Sequence, residues 1–76
     1  MKTFVLCKLA PGKEQSCVRA IRAIEGVTEV YMVFGGWDVV LSAESDTVDK
    51  LSGLIVSRVR SVDGVTATET LVTTNL

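Results

Sequence analysis

A chain of 76 residues makes one domain, and a domain this small needs disulfides, a metal or further copies to supplement its core. Eight basic and nine acidic residues leave a net charge of −1. They are dispersed, without the basic patch that direct nucleic-acid binding draws on.

Histidine is absent, and the two cysteines, Cys7 and Cys17, stand ten residues apart. That excludes a zinc or iron–sulfur centre built from nitrogen and sulfur ligands, and no cofactor is implied. The cysteines read as buried, reduced thiols, with a Cys7–Cys17 disulfide left open. Apolar residues make up 47% of the chain, a high share for a small monomer. No apolar run approaches the roughly 18–20 residues of a membrane span. The N-terminal apolar run ends at Lys8, too early for a signal-peptide core, so the expected compartment is the cytoplasm.

Thr3–Leu9, rich in strand formers, predicts a first strand, ended by Pro11–Gly12. Lys13–Ile24 predicts a helix, with Val18, Ile21 and Ile24 at helical spacing and Gly26 as its C-terminal glycine. Val27–Phe34 predicts a second strand, Gly35–Gly36 a tight turn, and Trp37–Glu44 a third strand. Ser45–Asp46 offers an N-cap, and Asp49 suits the positive end of the helix that follows. Val48, Leu51, Ile55, Val59 and Val62 form that helix's apolar stripe, and Gly64 closes it. Val65–Thr74 predicts the last strand.

The two halves repeat. RAIEGVT from Arg22 and RSVDGVT from Arg60 align at an offset of 38 residues. The order βαββαβ is that of an α+β, ferredoxin-like domain: a four-stranded antiparallel sheet with two helices on one face. The other face should be polar. Instead Phe4 and Leu6, Tyr31 and Val33, and Val40 are expected there, opposite Val5, Cys7 and Leu9, Val30, Met32 and Phe34, and Trp37, Val39 and Leu41. A sheet apolar on both faces implies a sheet-to-sheet dimer.

Chemistry is sparse. The lone tyrosine, Tyr31, lies mid-strand, and the threonines of residues 66–74 have no base beside them. Gly35–Gly36 does not open a helix, so it is no dinucleotide fingerprint. The chain is therefore read as no enzyme. Trp37 and Asp38, beside the glycine turn, fit two roles: covering the core edge and bracing the turn, or holding a ligand's ammonium group.

The stretch Val30, Tyr31, Val33, Gly35, Trp37 and Asp38 follows the pattern V-Y-x-V-x-G and G-x-[YW]-D. Ile24–Val27 and Val62–Val65 end helices in I-x-G-V and V-x-G-V, and Thr68, Thr70 and Thr73 surround Leu71–Val72 in the last strand. Over nearly its whole length the chain resembles the RAM domain, the effector-binding module of the Lrp/AsnC family of transcription regulators. The family's helix-turn-helix is expected to be absent, since the chain begins at the first strand.

The resemblance implies a homodimer through the sheets, dimers joining into rings such as octamers, and co-assembly with full-length Lrp/AsnC regulators. It also implies an amino acid or similar effector bound between dimers. In that role Gly35 and Gly36 let the backbone approach the ligand, and Asp38 accepts from an α-ammonium or orders the loop. Trp37, commonly Tyr in the family, walls the pocket or the dimer–dimer contact. Thr68 and Thr70 offer hydroxyls or line the neighbouring strand. The alternatives are a small dimeric ferredoxin-like barrel enzyme of monooxygenase or isomerase type, and an ACT-like amino-acid sensor.

Overall fold

The computed structural model describes residues 2–73, apart from the side chains of Ser52 and Leu54. Thr74, the end of the expected last strand, lies outside them. Strands β1 (Lys2–Leu9), β2 (Val27–Met32), β3 (Val39–Glu44) and β4 (Val65–Val72) form one antiparallel sheet in the order β2-β3-β1-β4. Helix α1 (Glu14–Arg22) joins β1 to β2. The β3–β4 crossover is helical in three successive pieces: α2 (Val48–Lys50), a π-helical segment (Leu51–Val56) and α3 (Ser57–Arg60). The βαββαβ order with both crossovers on one face is the ferredoxin-like fold expected from the sequence. Among the described residues no helix is long and apolar enough to cross a membrane.

Alternation along the strands builds the core. Val5, Cys7 and Leu9 of β1 and Val39, Leu41 and Ala43 of β3 are buried against Cys17, Val18 and Ile21 of α1 and Leu51, Ile55 and Val59 of the second crossover. Both cysteines are free and buried. Thr3, also fully buried, donates its hydroxyl to the Leu71 carbonyl at 2.9 Å, so its burial leaves no polar group unpaired.

Several boundaries differ from the sequence expectation. The second crossover helix is capped by Thr47, whose Oγ1 accepts the Lys50 N–H at 3.2 Å, not by Ser45 or Asp46. Val48, expected in the apolar stripe, is therefore the first helical residue and is 48% exposed. Gly26 and Gly64 are not the residues next to the helix ends. The C-caps are Ala23 and Ser61, and each glycine sits three residues further on. There, Val27 N–H donates to Ile24 O (3.2 Å) and Val65 N–H to Val62 O (3.1 Å), making each of I-E-G-V and V-D-G-V a β-turn. Glycine holds the third position, with φ +98° at Gly26 and +105° at Gly64, as a type II turn requires. The sequence repeat is thus a repeat of helix-to-strand turns.

The sheet's other face is mixed rather than wholly apolar. Register places Tyr31, Val40, Leu6 and Glu69 in one row across it, and Glu29, Ser42, Phe4 and Leu71 in the next. Lys2 and Lys8 flank the apolar strip. Ser42 is buried within a polar cluster: its hydroxyl pairs with Thr28 Oγ1 at 2.7 Å and donates to Glu29 Oε1 at 3.3 Å. Tyr31 donates to the other Glu29 oxygen, which holds the Glu29 carboxyl below the usual range. Trp37 and Phe34 do not share the face of Val39 and Leu41, because both precede β3 in a loop.

Both turn glycines are also packed tight. A Cβ on Gly64 would lie 2.6 Å from Cys17 Sγ, and one on Gly26 2.6 Å from Ile55 Cδ1. Gly53, in the π-helical segment, has nothing within 4 Å and no positive φ. Gly64→Ala is expected to destabilise by about 1–3 kcal/mol, whereas Gly53→Ala should stabilise by about 0.5–1 kcal/mol. Urea unfolding of the two variants reads the opposite signs.

Candidate functional site

The Gly–Gly hairpin is longer than its sequence suggests. Val33 N–H donates to Asp38 O at 2.9 Å, so pairing runs one step past Met32 and Val39 and leaves a loop of Phe34–Trp37. Of the two glycines only Gly35 has positive φ, +145°. A Cβ on either would meet nothing within 4 Å, so this backbone stands open to solvent. Phe34 is fully exposed, and Trp37 is half-buried.

Asp38 ties the loop to β1. Its N–H donates to Cys7 O at 2.9 Å, and its carboxylate Oδ2 accepts the Leu9 N–H at 2.8 Å. Had the β1–β3 ladder continued, a backbone carbonyl would have taken that donor; the side chain takes it instead and ends the ladder. Among the described residues Oδ1 has no protein partner. Asp38 thus braces the turn with one oxygen and presents the other.

Thr68 and Thr70 lie two strands away. They pair with Cys7 and Val5, whose side chains are buried on the helix face. Together with Val56 and Arg60 they line a groove of about 550 Å³ between the second crossover helix and the edge strand β4. Neither threonine hydroxyl, nor the Arg60 guanidinium, has a hydrogen-bond or ion-pair partner among the described residues. Sequence reading found the threonines but missed Val56 and Arg60. Their spacing of four residues, which stacks them on one helix face, was the available signal.

The predicted site residues therefore fall in two groups. Asp38 approaches Cys7 from the β3 side and Thr68 from the β4 side. Strand β1 stands between them, and one protomer does not bring Gly35, Gly36, Trp37 and Asp38 into the groove of Thr68 and Thr70.

Burial pushes the Cys7 thiol up to about 11, and burial also raises that of Cys17, which donates to Asp63 O at 3.2 Å. The hydrogen bond to Glu29 raises the Tyr31 hydroxyl. All three are protonated at neutral pH.

The Asp38 brace has a measurable consequence. Asp38→Ala leaves the Leu9 N–H without its acceptor and should lower stability by about 1–2 kcal/mol. Asp38→Asn, which keeps an acceptor oxygen, should recover most of that loss in chemical denaturation.

The profile of the family described as the Lrp/AsnC ligand binding domain matches residues 2–75. An HTH-type transcriptional regulator of Pyrococcus horikoshii is 28% identical over 72 residues, covering 91% of this chain and 48% of its own. The chain thus spans about half the length of the curated relatives it matches. Among solved structures, TTHA0845 from Thermus thermophilus superposes with a TM-score of 0.90 at 31% identity, over 99% of this chain and 94% of its own. The Neisseria meningitidis regulator NMB0573, solved in complex with L-Met, shares the fold, with a TM-score of 0.77 at 17% identity over 91% and 46% of the two chains. With fold, repeated glycine turns and a family match over residues 2–75 in agreement, this chain belongs to the Lrp/AsnC family as a ligand-binding domain.

Proposed function

We propose that the chain is an effector-binding and assembly module that modulates transcription, taking an amino acid or a similar small molecule and assembling with itself or with full-length Lrp/AsnC regulators. The observation that carries this reading is the split of the candidate site. The open loop with Asp38 and the groove with Thr68 and Thr70 flank one strand from opposite sides. An effector that meets both must sit between two copies, so binding and assembly are linked by mass action.

In this reading Gly35 and Gly36 admit the ligand to the backbone, and Oδ1 of Asp38 accepts its ammonium. Trp37 walls the site, and Thr68 and Thr70 of another copy supply hydroxyls. That an L-Met complex exists for a regulator of the same fold puts methionine first among the candidates. A catalytic reading has less support, because the Cys7, Cys17 and Tyr31 groups are held in their unreactive, protonated forms.

The dimer rests on the sheet's apolar strip. Tyr31 is 54% and Leu71 47% exposed there, with Phe4, Leu6 and Val40 half-buried. Packing this strip on its copy removes exposed apolar surface that a monomer leaves in water. Lys2, Lys8, Glu29 and Glu69 border it as a charged rim.

Two measurements test the reading. Each of the twenty amino acids at about 10 mM, if near ten times its Kd, adds about 1.4 kcal/mol and raises Tm by several degrees. Asp38→Ala should remove the shift while the dimer persists; absence of any shift, or a shift that survives in the variant, contradicts the assigned site. In sedimentation, Phe4→Glu should yield a monomer with native circular dichroism. A persistent dimer would place the interface elsewhere.

A further inference from the structure

Among the described residues Arg60 is the one cation lining the β4 groove, and it makes no ion pair or hydrogen bond there. It is the last residue of α3, one helical turn beyond Val56, and both line the groove opposite Thr68 and Thr70. The guanidinium has no acid within ion-pairing distance among the described residues. The nearest acid in sequence, Asp63, is held by Lys13 at 2.6 Å. A planar fork of donors thus shares the lining of a groove of about 550 Å³ with two hydroxyls that lack partners among the described residues.

We propose that Arg60 is the carboxylate-recognising residue of this site, gripping the α-carboxylate of a zwitterionic effector. This rests on the effector-binding reading above. The chemistry assigns each end of the ligand. A carboxylate fits the guanidinium fork with two parallel hydrogen bonds, and Thr68 and Thr70 are placed to donate to its outer lone pairs. Val56 and Val65, on the groove wall, take an aliphatic side chain. The ammonium, repelled by Arg60, is left for Oδ1 of Asp38 from another copy. A ligand without a carboxylate leaves Arg60 unsatisfied, and one without an ammonium forfeits the second copy. Groove and loop therefore select for opposite charges on one small molecule.

The experiment compares acid and carboxamide on the full chain. L-Valine, L-leucine and L-methionine are titrated beside their carboxamides, by calorimetry and by amide chemical shifts. The acids should bind at least about tenfold, or ~1.4 kcal/mol, tighter than the amides, and should move the Thr68 and Thr70 amide resonances. Arg60→Gln should bring acid affinity down to the amide level, and Arg60→Lys should recover part of it. If acid and amide bind wild type alike, or Arg60→Gln keeps the preference, the role of Arg60 is overturned and the effector-binding reading stands. If none of the acids binds, the assignment of an aliphatic ligand to this groove falls; the effector-binding reading falls with it only if none of the twenty amino acids raises Tm. Native circular dichroism and an unshifted Tm for unliganded Arg60→Gln separate lost recognition from lost folding.

Discussion

Everything in this domain depends on β1 being paired on both sides. It is hydrogen-bonded to β3 along one edge and β4 along the other, and its Val5 and Cys7 side chains are fully buried. Two extended ladders leave it no solvent-facing edge, and it alone joins the β2–β3 half of the sheet to β4. Its far end is where the ladders stop: the register with β4 shifts between Lys8 and Leu9, and the Leu9 N–H passes from backbone partners to the Asp38 carboxylate. The Phe34–Trp37 loop is held at its base by that bond, by the Asp38–Cys7 amide contact and by the Val33–Asp38 bond. The residues expected to bind are thus positioned by the residue that ends the central strand.

The internal repeat contributes a second constraint. Each half sends its chain from helix to strand through the same glycine turn, and each turn is packed against a core side chain, Ile55 or Cys17. These turns decide where β2 and β4, the two edge strands, begin. The β4 turn carries the exposed Lys13–Asp63 pair, and close beyond it lie Val65 and Thr66 on the groove wall. Helix end, turn and groove are one continuous feature, and occupancy of the groove would bear directly on the β4 edge.

Much of the fold was legible in local pattern. Alternation of Val5, Cys7 and Leu9, and of Val39 and Leu41, marked the helix face, and Leu51, Ile55 and Val59 marked the inward side of the second crossover. What local pattern could not reveal was set by distant partners. Val33–Phe34 and Trp37–Asp38 read as strand on either side of the Gly35–Gly36 turn, but β3 starts only at Val39, next to where Asp38 meets Cys7, a contact remote in sequence. Val48 obeyed helical spacing yet stays exposed, because the Thr47 cap starts the helix there. Arg60 was missed as a site residue, since its spacing from Val56 places the two on one helix face but does not tell whether an acid lies nearby in space. For the candidate site, the residue types were readable and their division by β1 was not.

That division is the physical core of the functional reading, because a ligand spanning both groups couples its own binding to the meeting of two copies. The most direct test is the affinity of the most stabilising amino acid, measured across a series of protein concentrations with sedimentation alongside. If the site is shared between copies, apparent affinity tightens as protein concentration rises through the assembly range, and saturating ligand shifts the sedimenting species towards larger assemblies. An affinity independent of protein concentration, with an unchanged sedimentation profile, would mean that one copy holds the whole site and would contradict the link between binding and assembly.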